Sequence, residues 1–217
     1  MIVKNLNINV NGLDEIESDN VVESIHELLN TFEFLDLRRF EQIVISEDVN
    51  EEVNIITKSN YEKNDSIYAK VITRINQEHI NIILLLNKAF SLTLVKNMNK
   101  ELTYQNSLHI FHHELAHIHD YNKKIDIFKT QMIYEKYNGI EGITYPLAEI
   151  CWSEYIANYI SSSSTTADSF PILTAETLAS LVISMAKEIR TKIMVYKSNK
   201  NRTDVFEDVK RQIEKKW

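Results

Sequence analysis

The chain has 217 residues, of which 44% are hydrophobic and 25% charged, an ordinary balance for a globular protein with a sizeable core. Its three glycines are too few for a glycine-rich phosphate loop, and the formal net charge of −7 argues against a nucleic-acid partner. The single cysteine, Cys151, excludes an intramolecular disulfide and a cysteine-based zinc finger, and we expect it to be a small buried thiol.

The amino-terminal residues lack the long apolar stretch and the small-residue cleavage site of a signal peptide. No apolar segment approaches the roughly 18 residues that a membrane-spanning helix needs. We therefore expect a soluble cytoplasmic protein without a membrane partner.

The first half of the chain predicts one helix followed by strands. Asn20 and Glu23 resemble a capping box ahead of apolar residues at helical spacing that continue to Phe32. Strands are predicted at residues 40–46, 66–75 and 79–87. The second of these alternates like a half-buried strand, whereas the third is apolar on both faces and resembles a more buried one.

The second half predicts helices. They cover residues 101–121 and 145–161, with a further helix near residues 125–137 between them. A serine-rich stretch at residues 161–171 predicts an exposed loop, and two more helical segments follow at residues 178–193 and 206–217. Strands followed by helices are typical of the α+β class.

One predicted helix carries the candidate metal ligands and the candidate catalytic base. Residues 113–117 read His-Glu-Leu-Ala-His, which matches the H-E-x-x-H pattern. On a helix His113 and His117 lie about 40° apart and one turn along the axis, so both can reach one zinc ion at roughly 2.0–2.1 Å. Glu114 flanks that site, where it can approach a water molecule without binding the metal. The opposite side of the helix is apolar and is expected to be buried in the core; it is formed by Tyr104, Leu108, Phe111, Leu115 and Ile118.

Two histidines leave a catalytic zinc ion one protein ligand short. Glu154, on the predicted helix at residues 145–161, and Asp120, three residues after His117, are the two candidates for the third ligand. His109 lies one turn before His113 and is expected in the wall of the pocket. His112 and His119 share one flank of the helix and are expected to be partly exposed.

Residues 154–158 read Glu-Tyr-Ile-Ala-Asn, an E-x-x-A-N sequence downstream of the H-E-x-x-H motif. This pair of motifs resembles the zincin metallopeptidases of the glutamate-ligand type, and most of all the ImmA/IrrE family. The resemblance implies that Glu154 is the third zinc ligand and that Asn158 supports a zinc-bound histidine. It covers mainly residues 101–161, and the chain departs from the family in the long segment between the motifs and in the serine run after them.

The helix of Glu154 has its own predicted faces. Glu154 and Asn158 share one face, and Ala157, like Ala116 on the motif helix, is small enough to let the two helices approach closely. The opposite side is expected to be a buried back, formed by Trp152, Ile156, Tyr159 and Ile160.

The residues and the resemblance together predict a zinc-dependent metallopeptidase that hydrolyses peptide bonds of a peptide or protein substrate. We expect an α+β, zincin-like fold with a small mixed or antiparallel sheet packed on the active-site helix and a mostly helical C-terminal half. Residues 1–161 form the expected catalytic domain, and residues 162–217 a helical extension packed on it. We expect one zinc ion per chain, held by His113, His117 and Glu154, with Glu114 as the general base.

Three questions stay open at this level. The chain is alternatively a non-catalytic regulatory or binding module that retains the zincin fold, or a zinc hydrolase that acts on a non-peptide bond. Tyr145, Tyr155 and His119 are unranked candidates for stabilising an oxyanion. The strand at residues 79–87, being the last before the motif helix, is the predicted cleft strand along which a peptide would bind, and the strand at residues 66–75, which carries Lys70 and Arg74, is the alternative.

Overall fold

The computed structural model describes residues 6–58, 67–76, 79–128, 138 and 141–164, together with isolated positions between 180 and 207. The chain divides into two compact units, Met1–Thr165 and Thr166–Trp217. In the second unit the described positions are all helical: Ser180, Ile183, Lys187, Arg190, Thr191, Met194 and Glu207. The rest of the predicted C-terminal helices, the loop after residue 164 and residues 129–137 lie outside the described residues. No helix within the described ranges is long and apolar enough to cross a membrane.

The first unit is α+β, as predicted, with a four-stranded mixed sheet. Its strands are β1 (Asn7–Val10), β2 (Phe40–Ser46), β3 (Ala69–Asn76) and β4 (His79–Asn87), in the order β1-β2-β4-β3. Strand β2 pairs in parallel with both β1 and β4, and β3 pairs antiparallel with β4. The bounds of β2 and β4 coincide with the prediction, whereas β3 starts at Ala69 and β1 was not predicted.

Five helices accompany the sheet in the described part of the chain. They are α1 (Glu15–Thr31), α2 (Val49–Thr57), α3 (Lys88–Thr93), α4 (Glu101–Phe128) and α5 (Glu141–Ser161). The capping box of α1 is formed by Asp14 and Glu17, so the helix starts earlier than Asn20 suggested. Helix α4 runs beyond the predicted end at residue 121 and includes the first residues of the helix that was expected at 125–137.

The sheet has a large core on one face and a small one on the other. Helices α1, α3 and α4 cover the first face, where Phe111, Leu115 and Ile118 of α4 meet the inward residues of β2 and β4. The second face packs on α2 through Val49 and Val53. Strand β4 contributes to both cores, which explains why its central residues are apolar on both faces. The predicted buried back of the motif helix is confirmed for the three α4 residues named here.

The position of β4 in the sheet corrects the predicted cleft strand. Strand β4 is hydrogen-bonded to β2 on one side and to β3 on the other, so it has no open edge for a peptide. The strand at the edge beside β4 is β3, which also lies against α4. The prediction was wrong because β2, distant in sequence, pairs with β4 in parallel.

Helix α5 packs on α4 through its small residues rather than its large ones. Ser153, Ala157 and Ser161 recur one helical turn apart and are all buried. The expected apolar back of α5 is wrong for Trp152 and Tyr159, which are 55% and 70% exposed, whereas Ile160 is partly buried against the large core. Small side chains let two helix backbones approach closely, so the contact face of α5 follows size and not hydrophobicity.

Candidate metal centre

Three of the predicted ligands meet between α4 and α5. The Nε2 atoms of His113 and His117 are 3.0 Å apart. Each also lies 3.5 Å from a carboxylate oxygen of Glu154, His113 from Oε2 and His117 from Oε1. Within the described ranges these three side chains form the one group of at least three His, Cys, Asp or Glu residues whose ligand atoms lie within 4.8 Å of one another.

The spacing of these atoms fits a tetrahedral metal ion. Ligand atoms held at roughly 2.0–2.1 Å from one tetrahedral centre lie roughly 3.3 Å from each other. The two Nε2 atoms are 3.0 Å apart and each lies 3.5 Å from a different oxygen of Glu154, so each of these pairs is close to that value. Two imidazole lone pairs facing each other at such a distance repel unless a proton or a cation lies between them. Two nitrogen ligands and one carboxylate are also a donor set that zinc binds in catalytic sites.

The electrostatics of the cluster favour a bound cation. Burial would raise the pKa of Glu154, but hydrogen bonding with His113 and His117 lowers it to about 2. Burial would likewise lower the pKa of His117, but the neighbouring carboxylates of Glu154 and Glu114 raise it. The site therefore holds an ionised carboxylate and attracts positive charge, whether a proton or a metal ion.

Glu114 is partly buried next to the cluster. Burial raises the pKa of its carboxyl group, and the nearby His117 and His113 oppose that shift. Glu114 is not one of the three clustered ligands. A carboxylate whose pKa moves toward neutral pH is a better proton acceptor than an exposed one.

The side of His117 that faces away from the cluster contacts a residue that the sequence did not indicate. Its Nδ1 atom lies 3.0 Å from the Oγ atom of Ser153. The resemblance had implied Asn158 for such a supporting contact. Asn158 is instead exposed, and its Nδ2 donates to the carbonyl oxygen of Glu154 at 2.7 Å. Only the place of Ser153 directly before Glu154 could have drawn attention to it.

Asp120, the alternative third ligand, lies in a different environment. Its Oδ2 is 2.6 Å from the Nζ atom of Lys124, and both side chains are buried. The same Nζ atom lies 4.0 Å from Oε1 of Glu149. Asp120 is therefore the anion of a buried ion pair, and Glu154 takes the position next to the two histidines.

Two further histidines of α4 are buried, which corrects the expectation for His112. His112 is fully buried, and its ring stacks on Phe32 with centroids 3.9 Å apart. Burial, and to a smaller extent the nearby His109 and His113, lowers the pKa of His112 to about 4. Its Nδ1 lies 3.1 Å from Oγ of Ser164, in a 3₁₀ turn that spans Ser162–Ser164. His109 Nδ1 lies 3.1 Å from the carbonyl oxygen of Ser161, which is buried at the end of α5 and not in the predicted loop, whereas Ser162 and Ser163 are exposed.

The candidate oxyanion residues are placed as follows. His119 is partly exposed, as predicted, and its Nδ1 accepts a hydrogen bond from the backbone N–H of Asp36 at 2.8 Å. Tyr145 and Tyr155 are 50% and 63% exposed, and the ring of Tyr155 stacks on that of Tyr159. Cys151 on the same helix is also exposed, contrary to the buried thiol that we expected.

Comparison of the chain with protein-family models, with curated proteins and with solved structures gave no match. The resemblance to glutamate-ligand zincins is therefore carried by the motif residues alone.

Proposed function

We propose that the chain is a zinc-dependent metallopeptidase of the zincin type, most similar to the ImmA/IrrE family. The observation that carries the proposal is the cluster of His113, His117 and Glu154, in which the two Nε2 atoms lie 3.0 Å apart and each lies 3.5 Å from an oxygen of Glu154, close to the distance between neighbouring ligands of a tetrahedral ion. A bound zinc ion would lower the pKa of a water molecule and polarise the scissile carbonyl group. The motifs that predicted these residues and the distances between them are separate lines of support.

Glu114 is the general base of the proposed reaction. It is the neighbour of a ligand on α4, and burial raises the pKa of its carboxyl group toward the working range of a base. Glu114 takes the proton from the attacking water and returns it to the leaving amine, so the carboxylate is regenerated at the end of each cycle. A purely structural module has no use for an acid–base residue at this position.

The edge strand β3 supports a peptide as the substrate. Strand β3 borders the sheet and lies against the helix that carries His113 and His117. An extended peptide that adds to such an edge gains main-chain hydrogen bonds whatever its sequence. This arrangement favours peptide hydrolysis over the hydrolysis of a small non-peptide substrate, which would leave the edge unused.

The cytoplasm is the proposed location. Cys151 is an exposed free thiol, which is typical of proteins in a reducing compartment.

The test is metal content combined with activity. We expect about one zinc ion per purified wild-type chain, with zinc lost in His113→Ala and His117→Ala and strongly reduced in Glu154→Ala. The exposed residues His26 and Glu23 of α1 provide matched controls, and their alanine variants should keep the metal. Wild-type protein that binds no zinc would contradict the proposal. Zinc binding without hydrolysis of any peptide in a broad library would leave the regulatory module as the better interpretation.

The role of β3 has its own test. A peptidyl hydroxamate should slow hydrogen exchange of backbone amides in residues 69–74, because the bound peptide pairs with the strand edge. Acetohydroxamate, which can bind the metal but has no peptide backbone, is the control. Equal exchange with both compounds would remove β3 as the binding strand.

A further inference from the structure

The ring of His117 is held from two sides. Its Nε2 faces the cluster, 3.0 Å from Nε2 of His113 and 3.5 Å from Oε1 of Glu154. Its Nδ1, on the other side of the ring, lies 3.0 Å from Oγ of Ser153. Ser153 is buried, so bulk water does not compete freely for this contact.

This contact bears on which nitrogen carries the proton. A neutral imidazole has one N–H group, and only its other nitrogen has a lone pair for a metal ion. For Nε2 of His117 to bind zinc, the proton must lie on Nδ1, and a partner on Nδ1 must then accept a hydrogen bond. We propose that Ser153 is a positioning residue whose hydroxyl oxygen accepts this bond and so fixes His117 in the metal-binding tautomer. The inference rests on the zinc site proposed above.

The packing of α5 on α4 explains why Ser153 can act in this way. A second contact joins His109 Nδ1 to the carbonyl oxygen of Ser161 at 3.1 Å. The two contacts lie about two helical turns apart on each helix, so together they set the register of α5 against α4. In that register Ser153 reaches the ring of His117 and its neighbour Glu154 reaches the metal side of the same ring.

The experiment compares zinc affinity in three variants of the full chain: Ser153→Ala, Ser153→Thr and Asn158→Ala. Affinity is measured by competition with a chromophoric chelator. We expect Ser153→Ala to bind zinc 10- to 100-fold more weakly, the usual cost of losing a partner of a ligating histidine. Ser153→Thr restores the hydroxyl and should stay within about threefold of wild type, as should Asn158→Ala, because Asn158 hydrogen-bonds the helix backbone.

Two readouts separate positioning from a general structural role. The metal-free Ser153→Ala protein should unfold within about 2 °C of wild type, because alanine fits the small-residue face of α5. In zinc-loaded protein with ¹⁵N-labelled histidine, the Nδ1 proton of His117 should give a slowly exchanging downfield signal that the Ser153→Ala variant lacks.

The outcomes are decisive in each direction. Ser153→Ala protein that binds zinc within threefold of wild type overturns this inference alone, and so does a loss of affinity in Asn158→Ala but not in Ser153→Ala. If Ser153→Thr is destabilised by its extra methyl group, the alanine variant and the His117 proton signal decide. Wild-type protein without zinc binding overturns the proposed function and this inference with it.

Discussion

The buried ion pair between Asp120 and Lys124 gives a prediction that separates folding from metal binding. The two side chains lie 2.6 Å apart between Oδ2 and Nζ, and the residues are only 4% and 7% exposed. Replacing Asp120 by asparagine keeps the size of the side chain and removes its charge. The ammonium group of Lys124 is then left in the interior with Glu149, 4.0 Å away, as its remaining carboxylate partner.

The expected cost follows from this burial. Removing one partner of a buried ion pair costs about 3–5 kcal/mol, because the other charge stays out of water without compensation. We expect the lower end, about 3 kcal/mol, since the Glu149 carboxylate still faces the ammonium group. For a chain of this size, that corresponds to a fall in Tm of roughly 6–12 °C. Replacing both residues, as in Asp120→Leu with Lys124→Met, should restore the free energy of unfolding to within about 1 kcal/mol of wild type.

The assay is urea denaturation of the metal-free proteins, followed by circular dichroism, with zinc per chain measured separately. Asp120→Asn should unfold at lower urea and still bind one zinc ion, because Asp120 lies outside the cluster of His113, His117 and Glu154. Asp19→Asn, which changes an exposed carboxylate of α1, is the matched control. A folded Asp120→Asn protein of unchanged stability that has lost its zinc would refute this reasoning and make Asp120 the third ligand.

Three further predictions address the base, the core and the loop before β2. Glu114→Gln should keep its zinc and lose peptide hydrolysis, because an amide cannot accept the proton, and a fully active variant would contradict the assigned role. Phe111→Ala should lower the free energy of unfolding by about 3–5 kcal/mol in urea titrations, since Phe111 is fully buried, and a loss below about 1 kcal/mol would contradict its place in the core. Hydrogen bonds from Arg38, against the opposing effect of burial, hold the pKa of Asp36 well below its usual range. The ionised Asp36 carboxylate therefore stabilises the fold above about pH 4, and this stabilisation is lost as the pH falls further. The difference in free energy of unfolding between wild type and Asp36→Asn should shrink on acidification, and a difference that stays constant with pH would contradict this role of Asp36.

The sequence alone was sufficient for elements whose pattern is local. The bounds of β4 and the buried face of α4 were predicted because both depend on the spacing of apolar residues within one segment. His113 and His117 share a helix face for the same geometric reason. The short elements β1, α2 and α3 were not predicted, since a strand of four residues, or a helix of nine residues or fewer, repeats its period only about two times.

Contacts between distant segments were not predictable in the same way. The parallel pairing of β2 with β4 decides that β3 is at the edge, and nothing within residues 79–87 reveals it. The packing face of α5 was misassigned because its small residues, and not Trp152 or Tyr159, meet α4. Ser153 was missed for the same reason, since its role depends on which ring of the neighbouring helix lies opposite.

The histidines of α4 show where angular arguments stop. Rotation about the helix axis correctly groups His113 with His117, and it groups His112 with His119 on another flank. Those last two nevertheless differ, because His112 is fully buried against Phe32 while His119 is partly exposed beside Asp36. The helical angle states the direction of a side chain, whereas the segment packed on that face decides its burial and its pKa. The candidate metal centre depends on both, because α5 brings the carboxylate of Glu154 to two imidazoles that already share one face of α4.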